Sequence, residues 1–113
     1  MPKFALMGGY TSEAWKGMID SRETRLAAVK RAVEAGGGTL DAFYWTFGDD
    51  DFMAIVEAPD NMAAAAMSVG TSSSGRLRHM RTIPLISADD EVTLLGKAGT
   101  VTAAYTPPGV RTG

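Results

Sequence analysis

His79 is the one histidine in the chain, and it is the natural candidate for acid–base chemistry. Imidazole gains and loses a proton near neutral pH, as a general acid or base must. A catalytic histidine also needs a neighbour to orient its ring, and Glu57 or an aspartate from the Asp49-Asp50-Asp51 run could supply it. The plainer reading is an edge-strand histidine facing solvent or a subunit contact, and that arrangement is commoner. Arg81 lies two residues further along the same run. With Tyr44 and Glu57, it and His79 form a candidate ligand pocket, since small-ligand sites are mostly apolar with a few polar groups.

Other chemistries are poorly supported. There is no cysteine, which excludes thiolate nucleophiles, disulfides and cysteine-based zinc or iron–sulfur sites. One histidine would leave only carboxylates to complete a metal site, and no spacing suggests one. The Asp49–Asp51 run lacks the spaced oxygens and downstream glutamate of a calcium loop, and reads as a solvated turn. Gly8-Gly9 and Gly36-Gly37-Gly38 lack the lysine and hydroxyl of a phosphate loop. Ser72–Ser74 have no nucleophile-elbow pattern and read as linker. No metal and no cofactor is expected. Arg25 reads first as structural, pairing with a carboxylate at the edge between helix and sheet.

The composition is that of one folded domain: 113 residues, 45% hydrophobic and 21% charged, with a formal net charge of −2. The nearest basic cluster is Arg76, Arg78 and Arg81 with His79, and the acidic balance gives no footprint for nucleic acid. The opening run Lys3 to Met7 is too short for a signal-peptide core or a membrane span. A cytoplasmic protein without membrane attachment is the expectation.

Residues 3–10 read as a strand bounded by Pro2 and the glycine pair. Thr11 offers a helix N-cap. Asp20 with Glu23 has capping-box form, and Ile19, Leu26, Val29 and Val33 then recur at helical spacing. This predicts an amphipathic helix, in two segments joined near Gly17 and stopped by Gly36–Gly38. Residues 39–47 and 51–58 carry the strongest strand signals and predict a hairpin across the Gly48–Asp51 turn. Pairing Phe47 with Phe52 places Phe43, Trp45, Phe47, Phe52, Ala54 and Val56 on one face. Leu40, Ala42, Tyr44, Thr46, Met53, Ile55 and Glu57 then share the other.

Trp45 is expected in the core and Tyr44 at an interface. Asp60 caps a second helix with Met62, Ala66 and Val69 on its apolar side, ending near Gly70. Residues 76–86 read as a fourth strand, where Pro84 suits only an end or an edge. Ser87 with Asp90 opens a short helix through Leu95. From Ala98 the chain, Pro107-Pro108 included, shows no helical period and reads as an arm over residues 98–113, following a domain of residues 1–97.

The order is βαββαβ: an α+β, ferredoxin-like fold with a four-stranded antiparallel sheet. Both faces of the hairpin are apolar, whereas a sheet with one wet face alternates cleanly. Two short helices cover one face, so a second copy is expected to cover the other, giving a homodimer or higher homo-oligomer.

These residues resemble the GYD-domain family. The likeness lies in Lys3-Phe4-Ala5-Leu6 with Tyr10-Thr11, Asp20-Ser21 with Arg25, and Gly37-Gly38. It continues through Phe43-Tyr44, Gly48 with Asp51, Glu57-Ala58-Pro59-Asp60, and Gly75 with Arg78, over roughly residues 2–95. The resemblance implies a dimeric α/β barrel in which two sheets pair face to face. It implies no particular reaction. The chain departs from the family pattern at Asp50, where the family turn Gly-x-Tyr-Asp has tyrosine. It departs again at His79-Met80-Arg81, which stand in place of Thr-Glu-Thr.

The leading expectation is therefore a self-associating domain binding a small ligand in a pocket at the sheet interface. The alternatives are a cofactor-independent monooxygenase or isomerase resembling others of this fold, and a structural or regulatory oligomer with a filled interior.

Overall fold

The computed structural model describes residues 1–110. Four strands, β1 (Lys3–Tyr10), β2 (Thr39–Trp45), β3 (Phe52–Glu57) and β4 (Leu77–Leu85), form one antiparallel sheet in the order β2-β3-β1-β4. Helices α1 (Ser12–Ser21), α2 (Arg25–Ala35) and α3 (Asn61–Ser72) complete the ferredoxin-like α+β arrangement, and α2 and α3 pack on one sheet face. Alternation along the strands turns Phe4, Leu6, Ala54 and Val56 toward these helices, where they are buried with Val33, Ala58, Ala64 and Met67.

The helical stretch is in two segments, but the break lies at Arg22–Thr24 rather than at Gly17. Arg22 takes the left-handed conformation (φ 55°), and its N–H closes α1 on the Met18 carbonyl. Thr24 then caps α2 by accepting from the Leu26 N–H at 3.2 Å. Asp20 is left inside α1, so the anticipated Asp20–Glu23 capping box has no helix start to serve. Thr11, by contrast, caps α1 through the Ala14 N–H at 3.1 Å, as its position predicts.

Helix α3 is capped by Asp60, which accepts from the Ala63 N–H at 2.8 Å, and it runs to Ser72. Its buried side is Ala64, Met67 and Ser68, not the expected Met62, Ala66 and Val69, which face outward. Small residues at 64 and 68 bring the helix close to the sheet, near enough for the Ser68 and Thr82 hydroxyls to hydrogen-bond at 2.6 Å.

The hairpin is wider than expected. Trp45, not Phe47, pairs with Phe52. Thr46 closes the loop, donating its N–H to Asp51 O and its hydroxyl to Asp50 O. Phe47, expected in the core, sits fully exposed at the tip. A bulge at Asp41 lets Leu40 pair with Val56 and Ala42 with Ile55, so Leu40 packs on the helix side rather than the opposite face. Trp45 and Tyr44 take opposite faces as predicted. Trp45 lies at the margin, against Tyr10, Trp15 and Phe43, and stays 47% exposed.

Beyond β4, Ser87 caps a single 3₁₀ turn (Ala88–Asp90) through the Asp89 N–H. Helix α4 (Glu91–Ala104) follows. The helix thus takes in residues 98–104 of the segment expected to be an irregular arm; Arg111–Gly113 of that segment lie outside the described residues. No proline interrupts residues 91–104, so the ladder of backbone hydrogen bonds is not broken there. Its principal packing partner is the turn before it. It projects from the body, which gives a longest dimension of 67 Å and a radius of gyration of 18.6 Å, against about 13 Å for a compact chain of this size.

Candidate functional site

The loop between β2 and β3 is folded over the end of β1 and fastened there by two consecutive aspartates. Gly48, at φ 139°, supplies a backbone conformation that other residues rarely adopt and lets the loop turn back. The Asp51 N–H then donates to Gly8 O at 2.7 Å. Its carboxylate Oδ2 accepts from the Tyr10 N–H at 2.9 Å and from the Trp15 indole at 3.2 Å, while Oδ1 pairs with Arg78 at 3.3 Å. Burial pushes the Asp51 carboxyl upward. The Tyr10 and Trp15 donors together with Arg78 outweigh this and hold it below the usual aspartate range.

Asp50 reaches the other way. Its Oδ1 meets His79 Nε2 at 2.8 Å and its Oδ2 bonds Arg81, and the residue is only 8% exposed. These contacts, the His79 hydrogen bond first and Arg81 next, hold its carboxyl below the ordinary range. Asp50 and Asp51 thus form an ionic clasp, while only Asp49 keeps the exposed side chain of a solvated turn. Arg78 donates to Asp49 O at 3.0 Å and lies 3.3 Å from His79 Nδ1. Because a guanidinium only donates, Nδ1 accepts, and Nε2 carries the hydrogen offered to Asp50. Glycine at position 9 makes room for this, since a Cβ there would collide with the Arg78 guanidinium.

A second feature lies on the helix side of the sheet. Helix α1 contributes no buried residue, and between α1, α2 and the sheet lies a cavity of about 530 Å³, with Leu6, Val33, Phe52 and Met67 among its lining residues. Arg25, at the start of α2, also lines it. Its Nε is buried with no hydrogen-bond partner among the described residues, so the anticipated carboxylate pairing does not form. Glu13 and Arg76 at the rim are paired with each other.

Comparison with known families matches the GYD domain over residues 4–95. The chain belongs to the GYD domain family. No curated protein and no solved structure matches it. In this GYD domain, the turn glycine and aspartate that carry the resemblance are Gly48 and Asp51, the hinge and the anchor of the loop. The two departures from the family pattern, Asp50 and the His79–Arg81 stretch, lie 29 and 31 residues apart in sequence yet bond directly. Helix α4 begins inside the matched region and runs on beyond it, from residue 96 to Ala104.

The four residues expected to line an interface pocket all belong to the uncovered face, but a single copy does not gather them. His79 and Arg81 meet at Asp50. Tyr44 occupies the opposite edge in the cross-strand row Tyr44–Met53–Met7–Arg81, roughly 14 Å from Arg81 at ordinary strand spacing. Glu57 is at the far end of β3, 3.9 Å from Lys3, which also bonds Asp41 at 2.8 Å. Asp50, Asp51 and the open Arg25 carry the local chemistry that single residue types did not reveal. The glycine pair opposite an aspartate run was the available signal for the clasp. Among the described residues no group of three or more histidines or carboxylates is placed to hold a metal, and no helix is long and apolar enough to cross a membrane.

Proposed function

We propose that this GYD domain works as a cytoplasmic, self-associating binding domain: two copies meet through the uncovered faces of their sheets, and the assembly holds a small molecule. The observation that carries the reading is the uncovered face itself. Met7, Met53, Ile55 and Ile83 form an apolar centre there, with no helix over it and with Lys3, Glu57 and Arg81 around it. Such a surface is removed from water most economically by a copy of itself. Light scattering on the full chain tests this. The wild type is expected at the dimer mass or above, and the double variant Met53→Lys, Ile55→Lys at the monomer mass with unchanged circular dichroism. A wild type that stays monomeric at high concentration overturns the self-association.

Holding a molecule is favoured over transforming one because both ring nitrogens of His79 are engaged, Nε2 with Asp50 and Nδ1 with Arg78. The Asp50–His79 contact nevertheless supports a second reading, a cofactor-independent monooxygenase or isomerase. A carboxylate of this kind orients a histidine base, and that base would work through Nδ1 once Arg78 moved aside.

A further inference from the structure

We infer that the ligand site of this domain is the cavity between helices and sheet, and that it takes an elongated apolar molecule ending in a carboxylate, with the carboxylate on Arg25. This rests on the binding half of the reading above and is independent of self-association.

A half-open cavity of about 530 Å³ lies beside the core, a volume within the range of small-molecule sites. The walls are apolar: Leu6, Val29, Val33, Phe52, Ala54 and Met67. Water gains little from such a lining, because a buried water needs several polar partners. A hydrocarbon chain loses nothing there.

Polarity supplies the direction. The Arg25 Nε–H is buried and has no hydrogen-bond partner among the described residues. A guanidinium is always charged, and buried donors are almost always paired. Several other polar groups of the lining are committed to partners. Glu13 is bonded to Arg76, and the Thr71 hydroxyl is turned to the carbonyls of Met67 and Ser68. Glu23, exposed at the rim, forms no ion pair with Arg25 among the described residues. The acceptor that fits a guanidinium edge is a planar carboxylate, which takes two parallel N–H bonds. Arg25 is also the first residue of α2, whose N-terminal end favours negative charge. Ser21, Glu23 and Arg25, on either side of the break between α1 and α2, belong to the lining, so the charged head of a ligand would sit where the two helices part.

The test is titration of the full chain with decanoate, 1-decanol and decylamine, read by calorimetry and by thermal shift. Decanoate is expected to bind about tenfold or more tightly than decanol, the scale of one charge-assisted hydrogen bond, and decylamine more weakly still. Arg25→Met should erase the preference for decanoate over decanol while leaving decanol binding in place. Ala28→Leu with Ala32→Leu, which adds side-chain volume to the α2 wall, should weaken all three; circular dichroism confirms that each variant is folded. The wild-type preference among the three probes stands as a test even where a variant fails to fold. Decanoate binding that survives both the Arg25 and the alanine substitutions places the ligand elsewhere, which overturns this site and leaves the binding reading standing. No binding of any probe to the wild type also overturns it. The binding reading itself falls only if a broad panel of small aromatic and polar compounds gives no thermal shift either.

Discussion

On the helix side of the sheet, Phe4, Leu6, Ala54 and Val56 are sealed beneath α2 and α3. One residue further along the same strands, Met7, Met53 and Ile55 meet no covering element and stay partly exposed. Apolar residues line both sides of the strands, with Lys3, Glu57, His79 and Arg81 on the open one, so apolar content alone does not decide which side is core. The connections decide it: both helix-bearing crossovers pass over one face. The other face is left to whatever the chain meets. The loop aspartates repeat the division on a small scale. Asp51 reaches Trp15 of α1 on the helix side, and Asp50 reaches His79 and Arg81 on the open side.

The two faces differ most sharply at two adjacent residues of β3. Phe52 is buried and packs on Tyr10 and Phe43 at ring separations of 5.3 and 5.8 Å. Phe52→Ala should cost about 3–5 kcal/mol in chemical denaturation. Met53→Ala, at a concentration where the chain is dilute, should cost within about 1 kcal/mol. Equal losses would mean that the two faces are buried alike. Asp51→Ala comes next, because it leaves the Tyr10 N–H and the Trp15 indole without their acceptor. A loss of about 1–3 kcal/mol is expected, together with a change in Trp15 fluorescence.

Asp50→Asn should have the smallest effect, best seen as pH dependence. The folded Asp50 carboxyl titrates below its unfolded value. Its contribution is therefore fully present above the unfolded pKa and is lost as pH falls through the folded one. Urea midpoints measured from pH 6 downward should decline in acid less steeply for Asp50→Asn than for the wild type. Asp51, shifted in the same direction, should keep part of the decline in that variant. An unchanged acid slope would remove Asp50 from the clasp.

Much of this was legible in the sequence where the cause is local. The caps at Thr11, Asp60 and Ser87 bind donors two or three residues away, and the βαββαβ element order follows from local patterning. The buried side of α3 was not legible, because a run of alanines gives no contrast from which to read a face. Asp20 misled because a cap is only as good as the helix start beside it, and the left-handed turn at Arg22 moved that start. The clasp is not legible because its partners lie 27 to 43 residues from the aspartates, and charge type alone does not reveal such a meeting. Tyr44 and Glu57 were placed on the correct face, but their distance across it needed the register.

The bulge at Asp41 has a consequence for how copies can meet. It sits on an outermost strand, where a straight run of free backbone groups would invite a stranger's strand to pair. The extra residue kinks that border and adds a carboxylate held by Lys3. The opposite border carries Pro84, which has no N–H to give. With both margins blunted, ribbon-like growth from sheet edge to sheet edge is discouraged.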